Sequence, residues 1–162
     1  MLPRLKNIPQ LSPLVIDYLH ELQAQHFEGD IASNYADRLS LATDNSVYQQ
    51  LPQAVLFPKS VADVVRLTKL GQIEKYRSLT FTPRGGGTGT NGQSINNNII
   101  VDLSRHMTGI LELNVEQRWV RVQAGVVKDQ LNQYLKPHGL FFSPELSTSN
   151  RATLGGMINT DA

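Results

Sequence analysis

The residues best suited to chemistry lie in one run, Thr82-Pro83-Arg84-Gly85-Gly86-Gly87-Thr88-Gly89-Thr90-Asn91-Gly92, which holds five of the chain's 12 glycines. Glycine at that density weakens helix and strand alike, because each one gives up the most backbone freedom on folding. It also lets a backbone turn through positive φ and lie against a ligand, with successive N–H groups converging on one concavity. Such a nest suits phosphate oxygens. Arg84 adds a fixed positive charge at the entrance. The competing reading is a mobile glycine-rich linker. Arg84 and the apolar runs that flank the loop closely on both sides argue against it.

Little else competes with that loop. The chain has no cysteine, which excludes disulfides, thiolate catalysis and cysteine-ligated clusters within it. His20, His26, His106 and His138 are scattered without acidic partners at a metal-ligand spacing, so no metal site is expected. Tyr48, Glu145 and His106 read as structural or solvated, and no catalytic residue is assigned. A net charge of +1 offers no basic stripe for nucleic acid or a membrane surface. With 40% hydrophobic and 18% charged residues over 162 positions, the composition is that of a globular protein with a real core. Arg4 and Lys6 are followed by prolines and by no continuous apolar stretch. Neither a leader peptide nor a membrane span is expected, and the cytoplasm is the default location.

The loop needs elements to hold it. Ala54-Val-Leu-Phe57, between Pro52 and Pro58, reads as a short buried strand. Ser60 opens a helix, Asp63 supplies a capping-box-like start, and Val61, Val64, Val65 and Thr68 carry the helical period towards Tyr76. Leu79 to Thr82 is a second strand. The loop thus lies at the carboxyl end of a β-α-β unit, where parallel sheets tend to bind ligands. Ile99 to Asp102 is a third strand. The pattern then alternates, with Leu111, Leu113 and Val115 on one face and Val120, Val122 and Ala124 on one face. That predicts an antiparallel hairpin with one solvated side. A helix follows through Val127, Leu131, Tyr134 and Leu135, limited by Pro137 and Gly139. Residues 143–162 read mostly as loop.

Ahead of these, residues 1–12 read as an extended, proline-punctuated arm. A helix is expected from Pro13 to Phe27, capped by Ser12 and ended by Gly29, and a shorter one from Ser33 to Leu41. Residues 1–45 carry no pattern with chemical meaning and read as a helical packing or partner-contact segment. The expected class is α+β. A small parallel β-α-β subdomain covers about residues 50–105, and the start of an antiparallel subdomain covers about 106–162. The second is unfinished, which suggests a piece of a longer protein.

Three nucleotide loops could own the glycine run. A Walker loop needs Lys and then Ser/Thr after its last glycine, and Thr90 and Asn91 follow Gly89 here. A dinucleotide fingerprint needs a helix after its glycines. Gly87-Thr88-Gly89-Thr90-Asn91-Gly92 has that spacing, but residues 91–98 hold three consecutive asparagines and no helical apolar period. The third option fits. Arg84-Gly-Gly-Gly-Thr-Gly89, with Asn91-Gly92 beyond, closely resembles the pyrophosphate loop of the p-cresol methylhydroxylase/vanillyl-alcohol oxidase superfamily of FAD proteins. Pro52, the strand to Phe57 and the helix from Ser60 resemble that family's opening unit. Val101-Asp102-Leu103-Ser104 with Met107, Val122-Gln-Ala-Gly125, and Pro144 with Ala152-Thr-Leu-Gly-Gly156 resemble later motifs, in order. Asp44-Asn-Ser-Val-Tyr48 and Asn150 to Ala162 resemble one branch, the large bacterial flavin and iron–sulfur D-2-hydroxyacid dehydrogenases, which include those acting on D-2-hydroxyglutarate.

The resemblance implies that the FAD pyrophosphate lies on the backbone N–H groups of Gly85, Gly86, Gly87, Thr88 and Gly89, with Asn91 and Gly92 continuing the cradle. Arg84 would orient the dianion or brace the loop from behind. Pro144, Thr153, Gly155 and Gly156 would line the rest of the cofactor, although Gly155-Gly156 standing alone reads better as a helix start or a tight turn. Some relatives attach FAD through a histidine in this loop; Thr88 stands there, so noncovalent FAD is implied. Any iron–sulfur cluster would belong to chain beyond Ala162. The implied chemistry is hydride removal from a small-molecule 2-hydroxy acid, with the base, the substrate clamps and the unknown electron acceptor outside this chain. Two alternatives stay open: a nucleotide-binding or interaction module without turnover, and an FAD oxidase acting on lactate, glycolate or an alcohol.

Overall fold

A computed structural model describes residues 9–161. Of the expected extended arm, residues 1–8 lie outside this range, and 9–12 form neither helix nor strand. The first helix, α1 (Pro13–Ala24), starts as its sequence predicts: Pro13 occupies the first turn and the Ser12 hydroxyl accepts from the Val15 N–H. It stops earlier than expected. His26, at φ 60°, takes the left-handed conformation that turns the chain, and Gly29 does not. Gly29 is needed for a different reason, since a Cβ there would run into the Phe27 ring and the Phe57 carbonyl.

The chain then forms a strand that the sequence pattern does not reveal, β1 (Asp30–Ala32), followed by α2 (Tyr35–Ser40), capped by Asn34. β1 pairs antiparallel with β2 (Ala54–Phe57). Next come α3 (Val61–Gly71), β3 (Phe81–Arg84) and β4 (Ile99–Asp102). The sheet order is β1-β2-β4-β3, with β2 and β3 both parallel to β4. β2 and β4 are buried along their whole length, which accounts for their continuous apolar runs. On one face, Ala54, Leu56, Ile99 and Val101 pack against Tyr18 and Leu22 of α1 and Leu67 and Leu70 of α3. On the other, Val55, Phe57 and Ile100 pack with Ala32 and Leu41.

Two boundaries differ from the sequence reading. α3 ends at Gly71, and a separate 3₁₀ turn, Glu74–Tyr76, seats Tyr76 against Tyr18. β3 starts at Phe81, two residues later than Leu79, so the strand carries Arg84 into the sheet. Pro83 is tolerated inside it because β3 is an edge strand and needs no ladder donor there.

The second unit is built on the hairpin β5 (Ile110–Asn114) and β6 (Trp119–Val122) and on α4 (Lys128–Leu135). The expected apolar face of β5 is corrected by a register shift between Ile110 and Glu112. An extra residue in one strand reverses which face its neighbours occupy. Ile110 and Leu113 therefore join Val120 and Val122 against the core, and Leu111 and Val115 face solvent. α4 ends in a 3₁₀ turn holding Pro137 and then in left-handed Gly139, at φ 68°. The tail is not all loop. Thr153 caps a helix, α5 (Leu154–Asn159), which buries Leu154 and Met157 beside Val126 and Leu131.

Two glycines allow close packing within the second unit. The Gly125 N–H donates to the Met107 carbonyl at 2.8 Å, and a Cβ on Gly125 would lie 2.7 Å from that oxygen. The Gly155 N–H donates to the Ala124 carbonyl at 2.9 Å, with room for a hydrogen only, since a Cβ would meet the Ala124 methyl at 2.8 Å. The architecture is α+β, a parallel β-α-β unit followed by an antiparallel one. Among the described residues, no helix is long and apolar enough to cross a membrane.

Candidate functional site

β3 delivers the chain to the glycine loop at the carboxyl ends of the parallel strands. Opposite stand the segment 146–153 and α5. Between them runs a groove of about 490 Å³. One wall is Pro83, the loop from Gly85 to Asn91, Gln93 and Ser94, and the other includes Leu146, Thr148, Ala152, Thr153, Gly156 and Met157. Gly85 and Gly86 let the walls approach. A Cβ on Gly85 would strike the Thr153 hydroxyl, and one on Gly86 would strike the Arg151 carbonyl. Gly87 supplies a left-handed turn, at φ 64°.

Among the described residues, none of the backbone N–H groups from Gly85 to Thr90 donates to an acceptor within the chain. Asn91 is the first loop residue whose N–H has one, the Gln93 side-chain oxygen at 3.1 Å. A run of unmet donors is costly unless solvent or a ligand meets it. Among the described residues, no acidic side chain lines the groove. Leu146, Ala152 and Met157 add an apolar strip on the far wall. The arrangement can receive anionic oxygens on one side and a flat apolar body on the other.

The structure brings eight of the residues singled out in the sequence onto this groove: Gly85, Gly86, Gly87, Thr88, Gly89, Asn91, Thr153 and Gly156. Four are not on its wall. Arg84 lies beneath the loop, where Nη2 donates to the Thr43 carbonyl at 2.8 Å and Nη1 to the Ser94 carbonyl at 3.4 Å. Burial draws its guanidinium below the ordinary value and nearby Arg151 adds to this, against the opposing pull of Asp102 and Asp44. Arginine stays charged throughout. Gly92, at φ 74°, packs beside the Tyr48 ring, and Gly155 packs on Ala124. Pro144 sits two residues from Leu146, off the wall.

His106 and Glu145 are engaged elsewhere. His106 Nε2 lies 2.7 Å from Asp30 Oδ2, and Glu145 accepts from the buried Lys128 ammonium at 3.0 Å. Residues not named as cofactor-binding in the sequence also reach the site. Thr148, Asn159 and Thr160 line the groove. Asn45 donates its N–H to the Gly87 carbonyl at 3.0 Å. In the sequence that stretch stands out only through the resemblance of Asp44-Asn-Ser-Val-Tyr48 to one branch of the family.

A family model described as FAD binding domain matches residues 52–162. The chain belongs to that family. The unmet loop donors, the absence of groove carboxylates and the apolar strip all fit a pyrophosphate-bearing flavin, so FAD is the cofactor of this domain. All 162 residues align at 82% identity with a D-2-hydroxyglutarate dehydrogenase of Haemophilus influenzae, and at 64% with one of Escherichia coli K12. In each case the chain spans 16% of the relative's length. A solved alkyldihydroxyacetonephosphate synthase shares the fold at a TM-score of 0.78 and 19% identity, over 93% of this chain and 30% of that one. The p-cresol methylhydroxylase-type resemblance carried by the loop is thus a true family membership.

Proposed function

We propose that this chain is the opening part of the FAD-binding domain of a flavin-dependent dehydrogenase that oxidises D-2-hydroxyglutarate to the 2-oxo acid. The observation that carries the reading is the 82% identity, over every residue of the chain, to a relative named for that activity. FAD, when bound, supplies the acceptor for a hydride from the substrate carbon while the hydroxyl gives up its proton. The chain's own part is to hold and orient that cofactor. The N–H groups of Gly85, Gly86, Gly87, Thr88 and Gly89 receive the pyrophosphate oxygens, and Asn91 extends the cradle. Thr153 and Gly156 form the facing wall. Arg84, Gly92, Pro144 and Gly155 support the walls from behind. Thr88, where a histidine would be needed for attachment, leaves the cofactor noncovalent. The substrate's carboxylate ligands, the proton acceptor and any iron–sulfur cluster are assigned to the rest of a longer protein, because this chain has no cysteine and, among the described residues, no acid or histidine lines the groove. We also propose a cytoplasmic location, which cell fractionation tests.

The test is anaerobic titration of the intact flavoprotein. D-2-hydroxyglutarate should bleach the yellow flavin band, and D-lactate, glycolate and simple alcohols should not. Bleaching by lactate alone transfers the protein to a different substrate class. A yellow flavin that survives acid denaturation attached to protein overturns the noncovalent assignment.

A further inference from the structure

Asn45, Asp44 and Thr43 lie ahead of residue 52, where the FAD binding domain match begins, yet they hold the glycine loop at three points. At its start, Arg84 Nη2 donates to the Thr43 carbonyl at 2.8 Å. At its apex, the Gly87 carbonyl accepts from the Asn45 N–H at 3.0 Å. At its end, the Ser94 hydroxyl donates to Asp44 Oδ2 at 2.9 Å, and Arg84 Nη1 reaches the Ser94 carbonyl at 3.4 Å. Asp44 is itself locked, because its Oδ1 accepts from the Ser46 N–H at 2.9 Å. The segment is closed on itself by a Thr43–Gln49 bridge and by the Gln50 N–H on the Ala42 carbonyl at 2.9 Å. It is pinned to the sheet by buried Arg38, whose Nε donates to the Pro52 carbonyl at 2.7 Å.

We propose that Asp44, acting through Ser94 and the adjoining Asn45 N–H, is a positioning residue that sets the shape of the cofactor loop before FAD arrives. The proposal rests on the reading of the loop as the FAD cradle. The physical need is plain. A loop with five glycines whose N–H groups find no partner from Gly85 to Thr90 has no local preference for one shape. If it were ordered only on binding, the lost backbone freedom would be subtracted from affinity. A clamp built on the sheet and its flanking segment removes that cost beforehand. Thr43, Asp44 and Asn45 lie off the groove wall, and Ser94 is the member of the clamp that reaches it.

The experiment uses the intact protein and its apo form, with the variants Asp44→Ala and Asp44→Asn. Two readouts are needed: the dissociation constant for FAD, and hydrogen exchange of the 85–94 amides in the apoprotein. Asp44→Ala should weaken FAD binding about tenfold, equivalent to about 1.4 kcal/mol, and should speed exchange in 85–94 while leaving α1 and α3 as protected as before. Asp44→Asn keeps a side-chain acceptor and should stay within about threefold of the parent protein, since one of the two bonds survives. Unchanged FAD affinity and unchanged loop exchange in Asp44→Ala overturn the proposal. Faster exchange spread evenly over α1, α3 and the loop also overturns it, since that reports general loosening. If the parent protein binds no FAD, the cofactor reading fails on its own, and loop exchange in the apoprotein alone decides the clamp.

Discussion

Gly86→Ala and Gly89→Ala look equivalent in the sequence, but the fold separates them. Neither residue has positive φ, so alanine strains neither backbone. At Gly86 the new methyl would overlap the Arg151 carbonyl oxygen and lie 2.9 Å from its carbon, which must move out to at least 3.4 Å for ordinary contact. That carbonyl is backbone and cannot swing aside. Its segment is tied by the Arg151 and Ala152 N–H groups to the Thr148 carbonyl, at 2.9 and 2.8 Å, and by the Lys128 N–H to Ala152 at 3.0 Å. Overfilling a packed site of this kind costs about 1–3 kcal/mol. The forced movement also opens the groove. At Gly89 the three atoms nearest the methyl all belong to the Gln93 side-chain amide, its oxygen at 2.7 Å among them, and a flexible amide can turn away. The loss is the Gln93 bond to the Asn91 N–H, about 1 kcal/mol. The smaller entropy of the unfolded chain offsets about 0.4–1 kcal/mol in both variants and cancels from the comparison. Gly86→Ala should therefore be the worse by up to about 2 kcal/mol. Urea titration of flavin release at fixed FAD, run on both variants and the parent, measures the difference. A Gly86→Ala protein matching the parent, or a Gly89→Ala protein weaker than Gly86→Ala, refutes the packing account of the loop glycines.

Two further outcomes are expected. Glu145→Ala leaves the buried Lys128 ammonium without its recorded acceptor and should lower stability by about 1–2 kcal/mol, read as a lower urea midpoint. Glu145→Gln, which keeps an oxygen, should recover most of the loss, and equal losses in the two variants would refute the role of that contact. Acid should release the Asp44 clamp in a defined window. Burial raises the Asp44 carboxyl, but hydrogen bonds from Ser46 and Ser94 outweigh it and hold the group below its usual 3.8. The group's contribution is therefore complete above about pH 3.8 and is lost as pH falls through the lower folded value. The ratio of FAD affinities between the parent and Asp44→Asn should stay flat from about pH 5 to 8. A ratio that changes across that range counts against the assignment.

The glycine loop and its place after a parallel strand were legible in local sequence, because glycine density and short apolar runs are local signals. The caps at Ser12 and Ser60 and the all-apolar strands were legible for the same reason. β1 was not, since Asp30-Ile31-Ala32 has no period and becomes a strand only by pairing with residues 55–57. The face of β5 was misread because a bulge is a property of two strands in register, and no single strand records it. α5 was hidden by its two glycines, poor helix formers that are admitted here because Gly155 must pass within touching distance of Ala124.

By itself, the sequence determined which backbone could cradle a pyrophosphate, because that capacity depends on residues a few positions apart. Tertiary structure alone decided what each glycine is for. Gly85 and Gly86 are small so that the loop can lie against Thr153 and Arg151, far along the chain. It also decided that Arg84 stands behind the loop and that Thr43, Asp44 and Asn45 grip it, contacts spanning 41 to 50 positions that no local pattern encodes. Close approach between distant segments is a three-dimensional constraint, so its residues are recognised only when both partners are in view.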